Sequence, residues 1–268
     1  MSGQLPLAMR LRERAAFDSF VTGPNAVAVA QLREAAGGGA ARGAATRGEA
    51  TRGEATRGEA ARGDASGAAP VGRVYWLYGP AGVGKSHLLQ ASCSLALGEG
   101  AGALYLPLSQ LLPFGPAALA GWEDAGFVAL DELEQVIGRR DWEEALFALY
   151  HALEERGAML LAAARRLPGQ LPFALADLAS RFSAAMPLAL QPLDEAGQRQ
   201  ALQWRARARG LELPARTARY LQRRYRRDLP TLCALLDTID VAALQAQRRL
   251  TVPFIREVLA APQAAIAK

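Results

Sequence analysis

An eight-residue glycine loop between an apolar run and an amphipathic run constrains this chain more than any other feature. The run VYWLYG (74–79) is typical of a buried strand, and SHLLQASCSLAL (86–97) is typical of a helix. The loop matches G-x-x-x-x-G-K-[ST] at every fixed position, and its residues are Gly79, Pro80, Ala81, Gly82, Val83, Gly84, Lys85 and Ser86. When a strand, a glycine loop and a helix follow one another in this order, the backbone N–H groups of the loop point toward bound phosphate oxygens. The loop therefore predicts a nucleotide site, in which Lys85 reaches the β- and γ-phosphates and Ser86 ligates Mg²⁺.

The choice of basic residues supports this prediction. Of 31 basic residues only Lys85 and Lys268 are lysine. Because almost all other basic residues are arginine, a lysine inside the glycine loop indicates a chemical role that arginine cannot fill. The net charge is +5, and most of the excess falls between Arg199 and Arg227. This local basic patch suits an acidic protein or a nucleic acid.

Apolar runs alternate with amphipathic stretches after the loop. Strands are predicted at 74–79, 103–108, 127–132, 159–164 and within 186–193. This alternation predicts an α/β fold with a five-stranded parallel sheet covered by helices. From Asp194 onward the pattern is helical only, which predicts a small all-α domain.

One helix, predicted at 141–157, has both a start signal and a buried stripe. Asp141 and Glu144 have the spacing of a capping box, and Gly157 stands at the C′ position. The apolar stripe predicted to face the core consists of Trp142, Leu146, Leu149 and Leu153.

Composition divides the chain into five segments. They are a flexible tail (1–10), the N-terminal segment of the nucleotide-binding domain (11–36), a linker (37–69), the nucleotide-binding core (70–192) and the helical domain (193–268). In the linker the unit ATRGE recurs from Ala45 to Glu59 with almost no large apolar residue, so we expect it to be disordered. A functional repeat array is the alternative, but a five-residue unit does not form a self-supporting element.

The third predicted strand ends in an acidic pair, Asp131 and Glu132. A carboxylate at the end of a neighbouring strand can supply the second Mg²⁺ contact, and a following glutamate can orient the attacking water. An ordinary exposed acidic pair is the alternative, and Glu134 two residues later makes the role of Glu132 less specific.

His87 and His151 have no acid or nucleophile in a catalytic spacing, so packing roles are expected.

Composition also bears on location. No apolar stretch approaches the roughly 20 residues that cross a bilayer, and the N-terminus is a poor match to a signal peptide. Cys93 and Cys233 lack metal-ligand spacing and are expected to be reduced thiols. We therefore expect a cytoplasmic protein that does not contact the membrane.

The order of glycine loop, acidic strand and helical domain is similar to that of AAA+ ATPases. Four segments resemble the bacterial replication initiator DnaA: AAFDSFVTGPNAVAVAQL (15–32), LPLSQL (106–111), DLASRF (177–182) and LTVPFIREVL (250–259). The initiator continues into a DNA-binding domain, whereas this sequence ends at Lys268. A core of this kind resembles the Hda family of DnaA regulators. The resemblance implies the AAA+ fold with a helical lid, bound ADP or ATP, and Mg²⁺.

The N-terminal tail carries a second resemblance. Gln4, Leu5, Pro6 and Leu7 are similar to the QL-x-L peptide by which Hda proteins bind the DNA polymerase sliding clamp. The leucines would enter an apolar groove while the Gln4 amide hydrogen-bonds its rim. Ala8 stands where the motif usually has a large apolar residue, so modest affinity is expected. An unstructured tail is the alternative.

The resemblance gives Arg181 the role of an arginine finger. In the family this residue reaches the nucleotide of a neighbouring subunit, and such fingers are worth roughly 10³–10⁵ in rate. The alternative is a solvated arginine, one of 29 in the chain.

Two residues depart from the family pattern. Arg165 follows the fourth strand where a polar sensor is expected, and Pro230 occupies the position of a sensing arginine in the lid. Proline has no charge and no N–H, so it does not sense a phosphate; Arg226 or Arg227 is the candidate substitute. Both departures predict inefficient hydrolysis by this subunit.

The leading hypothesis is a negative regulator of replication initiation. It holds ADP or ATP, docks on the sliding clamp, reaches DNA mainly through the clamp, and stimulates hydrolysis of DnaA-bound ATP. One alternative is a self-sufficient AAA+ ATPase such as a helicase loader, and another is a DNA-binding module that uses the arginines around 219–227. Homo-oligomerisation stays open.

Overall fold

The structure, a computed structural model, describes residues 15–38, 74–122, 124–225, 229–246 and 250–260. These residues form two compact units. The first contains 15–17, 27–38, 74–79 and 85–189, and the second contains 18–26, 80–84 and 190–260, with the gaps just given. The predicted tail with Gln4, Leu5 and Leu7, the linker from residue 39 onward, and Arg226 and Arg227 lie outside the described residues.

The predicted strands and helices are present with small shifts in their ends. The strands are β1 (Val74–Tyr78), β2 (Ala103–Pro107), β3 (Phe127–Asp131), β4 (Met159–Ala164) and β5 (Met186–Ala189). The helices are α1 (Ala26–Gly38), α2 (Lys85–Gly98), α3 (Leu108–Leu111), α4 (Arg140–Glu155), α5 (Ala176–Ser183), α6 (Glu195–Arg207), α7 (Ala215–Arg224), α8 (Leu229–Ala246) and α9 (Val252–Ala260). Helix α1 includes the first two residues of the predicted linker, residues 37 and 38.

The five strands form one parallel sheet, as the sequence predicts, and the structure gives their order as β2-β3-β4-β1-β5. Every residue of β3 and β4 is buried, which agrees with their nearly unbroken apolar sequences. The register pairs Pro107 with Asp131 and Tyr78 with Ala164. The carboxyl ends of the four strands β1 to β4 therefore lie at the same edge of the sheet.

Helix α4 buries the predicted stripe but begins differently from the prediction. Trp142, Leu146, Leu149 and Leu153 are all buried. The predicted capping box is wrong, because the helix begins at Arg140 and its N-cap, Arg139, makes no side-chain hydrogen bond. Glu144 instead forms an ion pair with Arg140.

The second unit packs helices α6 to α9 around a core of its own. Asp194 caps α6, because its carboxylate accepts a hydrogen bond from Gly197 N at 2.7 Å. Leu202, Leu221, Leu236 and Ile255 contribute one fully buried side chain from each helix. In the described part of the chain, no helix has both the length and the apolar character that a membrane span needs.

Candidate functional site

The glycine loop joins β1 to α2 at the carboxyl edge of the sheet. Gly82 and Gly84 have φ angles of 78° and 101°, in the region that favours glycine. Lys85 donates a hydrogen bond from Nζ to the carbonyl oxygen of Gly79 at 2.7 Å. The lysine that the sequence assigns to phosphate binding therefore also closes the loop on itself.

Two apolar residues of the second unit cover the loop glycines. A β-carbon added to Gly82 would lie 2.0 Å from Pro230 Cγ, and one added to Gly84 would lie 2.5 Å from Phe20 Cε2. Both glycines are therefore required by close packing as well as by backbone angle. Pro230, which the sequence places at the missing sensor position, packs directly on the loop. No pattern in the sequence predicts the contact between Phe20 and Gly84.

Lys85 lies among the charged side chains at the carboxyl ends of the strands. Burial lowers the pKa of Lys85, and Arg165 acts in the same direction. The carboxylates of Glu134 and Asp131 oppose this shift. An anionic ligand such as a polyphosphate would favour the charged form of the amine.

The predicted Mg²⁺ ligands Ser86 and Asp131 share one neighbour. Tyr105 of β2 donates a hydrogen bond from its hydroxyl to Asp131 Oδ2 at 2.7 Å, and Asp131 is 2% exposed. Burial raises the pKa of Tyr105, as does the adjacent Asp131 carboxylate, while hydrogen bonds with Gln90 and Ser86 act the other way. The structure thus brings Ser86 and Asp131 together at a hydroxyl that the sequence analysis missed.

Glu132 has an unusual backbone and an engaged carboxylate. Its φ and ψ are 60° and 44°, and it is the one non-glycine residue with positive φ in the described part of the chain. Its N–H donates to Asp131 Oδ1 at 2.9 Å. Ser109, in the short helix α3 that follows β2, donates a hydrogen bond to Glu132 Oε2. The proposed water-orienting group is thus held by Ser109, and left-handed non-glycine residues often mark functional sites.

Arg165 forms an ion pair with Glu134, in which Nε lies 2.9 Å from Oε1. Glu134 Oε2 is buried without a hydrogen-bond partner among the described residues. The arginine that replaces the expected sensor therefore contacts an acid from the loop after β3. The sequence pattern indicates Glu134 only as an alternative to Glu132 and does not predict this ion pair.

Arg181 lies on α5 and is bound within its own subunit. It contacts Glu154 Oε2 at 2.7 Å, and the side chain is 32% exposed. Its guanidinium lies 5.3 Å from the ring centroid of Tyr150 and 5.6 Å from that of Phe147. All three partners are on α4, so the predicted finger is not in contact with the residues around Lys85 in its own subunit.

Glu143 is a fully buried acid that the sequence analysis did not assign. Its carboxylate accepts hydrogen bonds from Gly138 N at 2.6 Å, Ala174 N at 3.1 Å and Leu175 N at 2.6 Å. Leu175 is the N-cap of α5. Glu143 thus fixes the start of the helix that carries Arg181.

His87 and His151 contact neighbouring protein groups, and Cys93 is buried. His87 Nε2 lies 3.0 Å from the carbonyl oxygen of Ala16, and His151 Nδ1 lies 3.9 Å from Glu154. Burial raises the pKa of the Cys93 thiol to about 12. Both cysteines are free thiols. Among the described residues, no group of three or more His, Cys, Asp or Glu side chains is arranged to hold a metal ion.

Comparison with known proteins agrees with this architecture. Residues 194–259 match the family model described as Hda, lid domain. Domain III of Thermotoga maritima DnaA superimposes with a TM-score of 0.69 at 18% identity, covering 94% of this chain and 98% of that one. AMPPCP-bound DnaA from Aquifex aeolicus superimposes with a TM-score of 0.61 at 18% identity over 88% and 68% of the two chains.

A third similarity has a lower TM-score. The Thermotoga maritima RuvB Holliday junction branch migration motor superimposes with a TM-score of 0.51 at 19% identity, covering 70% of this chain and 60% of that one. Together with the five-stranded parallel sheet, these matches confirm the predicted AAA+ fold with a helical lid. Residues 194–259 are thus similar to the Hda lid domain, and the chain as a whole has the fold of DnaA domain III.

Proposed function

We propose that this protein is a nucleotide-bound regulator that stimulates hydrolysis of ATP in DnaA. The observation that carries the proposal is the Hda lid match at 194–259, attached to a domain with the fold of DnaA domain III. The proposal rests on this combination because the fold alone is shared with proteins of other activities, such as RuvB.

The residues of the loop and the sheet edge fit a nucleotide with Mg²⁺. Gly82 and Gly84 supply the backbone angles of a phosphate loop, Lys85 supplies a charge, and Ser86 with Asp131 supplies oxygen ligands of the kind that Mg²⁺ prefers. When bound, Mg²⁺ neutralises phosphate charge. AMPPCP-bound DnaA supports adenine nucleotide as the ligand class, ADP or ATP.

Inefficient hydrolysis by this subunit is part of the proposal. Ser109 holds the Glu132 carboxylate, Arg165 is paired with Glu134, and Pro230 packs on Gly82. Because of these contacts, the charged side chains nearest the loop are bound to other protein groups. Arg181 acts instead on the nucleotide of DnaA, and the tail residues Gln4, Leu5 and Leu7 bind the sliding clamp.

The decisive experiment is a single-turnover assay of ATP bound to DnaA, with the clamp loaded on DNA. We expect Arg181→Ala to lower the stimulated rate by at least 10³-fold, as for other arginine fingers. Arg156→Ala, an exposed arginine that follows α4, is the matched control and leaves the rate unchanged. Equal rates for Arg181→Ala and the unmodified protein would refute the role of Arg181.

A separate experiment tests the tail. We expect the sliding clamp to co-purify with this protein, and we expect the double substitution Leu5→Ala plus Leu7→Ala to abolish the co-purification.

A second candidate function is that of a self-sufficient ATPase, such as a helicase loader. It is favoured by the position of Asp131 and Glu132 at the end of β3, beside Lys85. This candidate predicts steady turnover without DnaA that Glu132→Gln abolishes. Turnover that requires DnaA, and that survives Glu132→Gln, excludes it.

A further inference from the structure

The helical unit carries the positive charge of the chain. Thirteen of the 31 basic residues but only seven of the 26 acidic residues fall between 194 and 259. This segment therefore has a net charge of +6, and the rest of the chain has a net charge of −1. Such a division indicates a surface with an anionic partner, provided that the arginines are not used inside the unit.

Two arginines near the carboxyl end of α6 are used inside the unit: Arg205 in its last turn and Arg209 just beyond it. Arg205 contacts Asp237 Oδ2 at 3.1 Å, and Arg209 contacts Asp237 Oδ1 at 2.5 Å and Asp240 Oδ2 at 3.5 Å. Their side chains are 33% and 26% exposed. These charges are neutralised by α8 and hold the two helices together.

The arginines of α7 are arranged differently. Arg216, Arg219 and Arg223 are exposed and have the spacing i, i+3, i+7, which places them on one side of the helix over about 10 Å. Arg224, also exposed, stands beside them. Within the described residues none of the four contacts a carboxylate. Since Ala218 and Leu221 bury the opposite side of α7, the arginine side faces solvent.

A fifth arginine reaches the same surface from α9. Arg256 lies 5.2 Å from the ring centroid of Tyr220, with its Nε 3.4 Å from the tyrosine hydroxyl. Tyr220 is one turn from both Arg216 and Arg223. We call the five residues Arg216, Arg219, Arg223, Arg224 and Arg256 the basic face.

We propose that the basic face binds the phosphodiester backbone of duplex DNA directly and without sequence preference. Duplex DNA presents one negative charge per about 1.7 Å of its axis, and arginine forks match phosphate geometry. A row of four guanidinium groups on one helix thus meets several phosphates at once. This contact goes beyond the proposed function, in which DNA is reached through the clamp.

The neighbouring side chains explain why the basic face does not recognise a base sequence and why it prefers duplex to single-stranded DNA. Gln222, the amide side chain of α7, is buried and donates to the carbonyl oxygen of Glu195 at 2.9 Å, so it does not reach a base edge. The ring of Tyr220 lies under Arg256, so it offers no free platform for a stacked base. The contacts available are therefore those to phosphates.

The test measures binding of the full-length protein to a fluorescent 30-base-pair duplex of arbitrary sequence, by anisotropy between 50 and 200 mM KCl. We compare Arg216→Gln/Arg219→Gln/Arg223→Gln with a control of equal charge loss in the first unit, Arg139→Gln/Arg140→Gln/Arg156→Gln. Each lost phosphate contact lowers the slope of log K against log salt by about 0.9. We expect the basic-face variant to lose 2 to 3 units of slope and at least tenfold in affinity at 100 mM, and the control to bind as the unmodified protein does.

A second variant separates charge from folding. Arg216→Lys/Arg219→Lys/Arg223→Lys keeps the charges, so we expect most of the salt slope to remain. Equal loss in the lysine variant and the glutamine variant would contradict a charge-based contact, as would equal binding by the glutamine variant and the control. Binding of polyglutamate or of anionic lipid vesicles in preference to duplex would assign the face to another partner and overturn the proposal. Because neither DnaA nor the clamp is present, the result is independent of the proposed regulatory function.

Discussion

Arg181 donates a hydrogen bond from Nη1 to Glu154 Oε2 at 2.7 Å, across the contact between α5 and α4. Both side chains are partly exposed, at 32% and 50%. An ion pair of this exposure contributes at most about 1 kcal/mol. To act as the proposed finger on the nucleotide of another subunit, Arg181 would have to leave Glu154, and the ion pair would be a weak restraint on that movement.

Replacing Glu154 by glutamine is expected to release this restraint. Removal of at most about 1 kcal/mol predicts a rise of up to about fivefold in the rate of DnaA-bound ATP hydrolysis, with little change in stability. Glu155→Gln, the exposed neighbour, is the control and is expected to leave the rate unchanged. A single-turnover assay checks the prediction, and a lower rate for Glu154→Gln would mean that the ion pair supports the active position of Arg181.

The contact between Ser109 and Glu132 leads to a prediction about the protein's own site. If Ser109 restrains the carboxylate, Ser109→Ala raises ATP turnover by the protein alone by about tenfold or more, since a hydrogen bond to a charged group is worth about 1.5 kcal/mol or more. Adding Glu132→Gln to Ser109→Ala is expected to remove the gain. Ser183→Ala, whose hydroxyl bonds within its own helix, serves as the control. Unchanged steady-state turnover in Ser109→Ala would show that Ser109 does not limit Glu132.

The loop, the strands and the buried stripe of α4 could be predicted because each is encoded in a short stretch of sequence. The glycine spacing fixes the loop, and unbroken apolar runs mark strands that are buried on both faces. Contacts between distant segments have no such local signal. Ser109 and Glu132 are 23 positions apart, and Glu143 binds backbone N–H groups up to 32 positions away.

The incorrect capping box of α4 illustrates the same limit. The local spacing of Asp141 and Glu144 fits the capping pattern, but the helix begins one residue earlier and Glu144 pairs with Arg140. Glu143, which lies between Asp141 and Glu144 in the sequence, is the acid that accepts hydrogen bonds from backbone N–H groups. Glu143 is buried and bonds to distant backbone N–H groups, and the spacing of the acids does not reveal which of them is buried.

The lowered pKa of Lys85 predicts proton uptake when nucleotide binds in alkaline buffer. Burial lowers this pKa below the ordinary value of 10.5, and bound phosphates would raise it again because they favour the charged amine. At pH values between the lowered pKa and 10.5, affinity is therefore expected to fall as pH rises. Titration calorimetry in two buffers of different ionisation enthalpy measures the uptake. Lys85→Arg, which stays charged, is expected to show no uptake, and equal heats in both buffers for the unmodified protein would contradict the prediction.

The same shift affects stability with a defined sign. In the window between the lowered pKa and 10.5, the unfolded chain binds the Lys85 proton more tightly than the folded chain does. The contribution of Lys85 to the free energy of unfolding therefore increases as pH rises through this window. Urea denaturation at several alkaline pH values, compared with Lys85→Arg, isolates this contribution. If the free energy of unfolding of the unmodified protein, relative to that of Lys85→Arg, decreased with rising pH, the prediction would be contradicted.

Glu143 is expected to be among the most sensitive positions for folding. Glu143→Gln keeps the size of the side chain but turns an acceptor of three hydrogen bonds into a group that carries its own donors. Leaving one or two buried N–H groups without an acceptor costs about 1–3 kcal/mol each, so a loss of about 2–5 kcal/mol is expected in urea denaturation. The adjacent Glu144→Gln removes only an exposed ion pair and is expected to cost less than about 1 kcal/mol. Because Glu143 holds the start of α5, a folded Glu143→Gln protein is also expected to stimulate DnaA less well, and similar stabilities for the two variants would show that these hydrogen bonds do not support the fold.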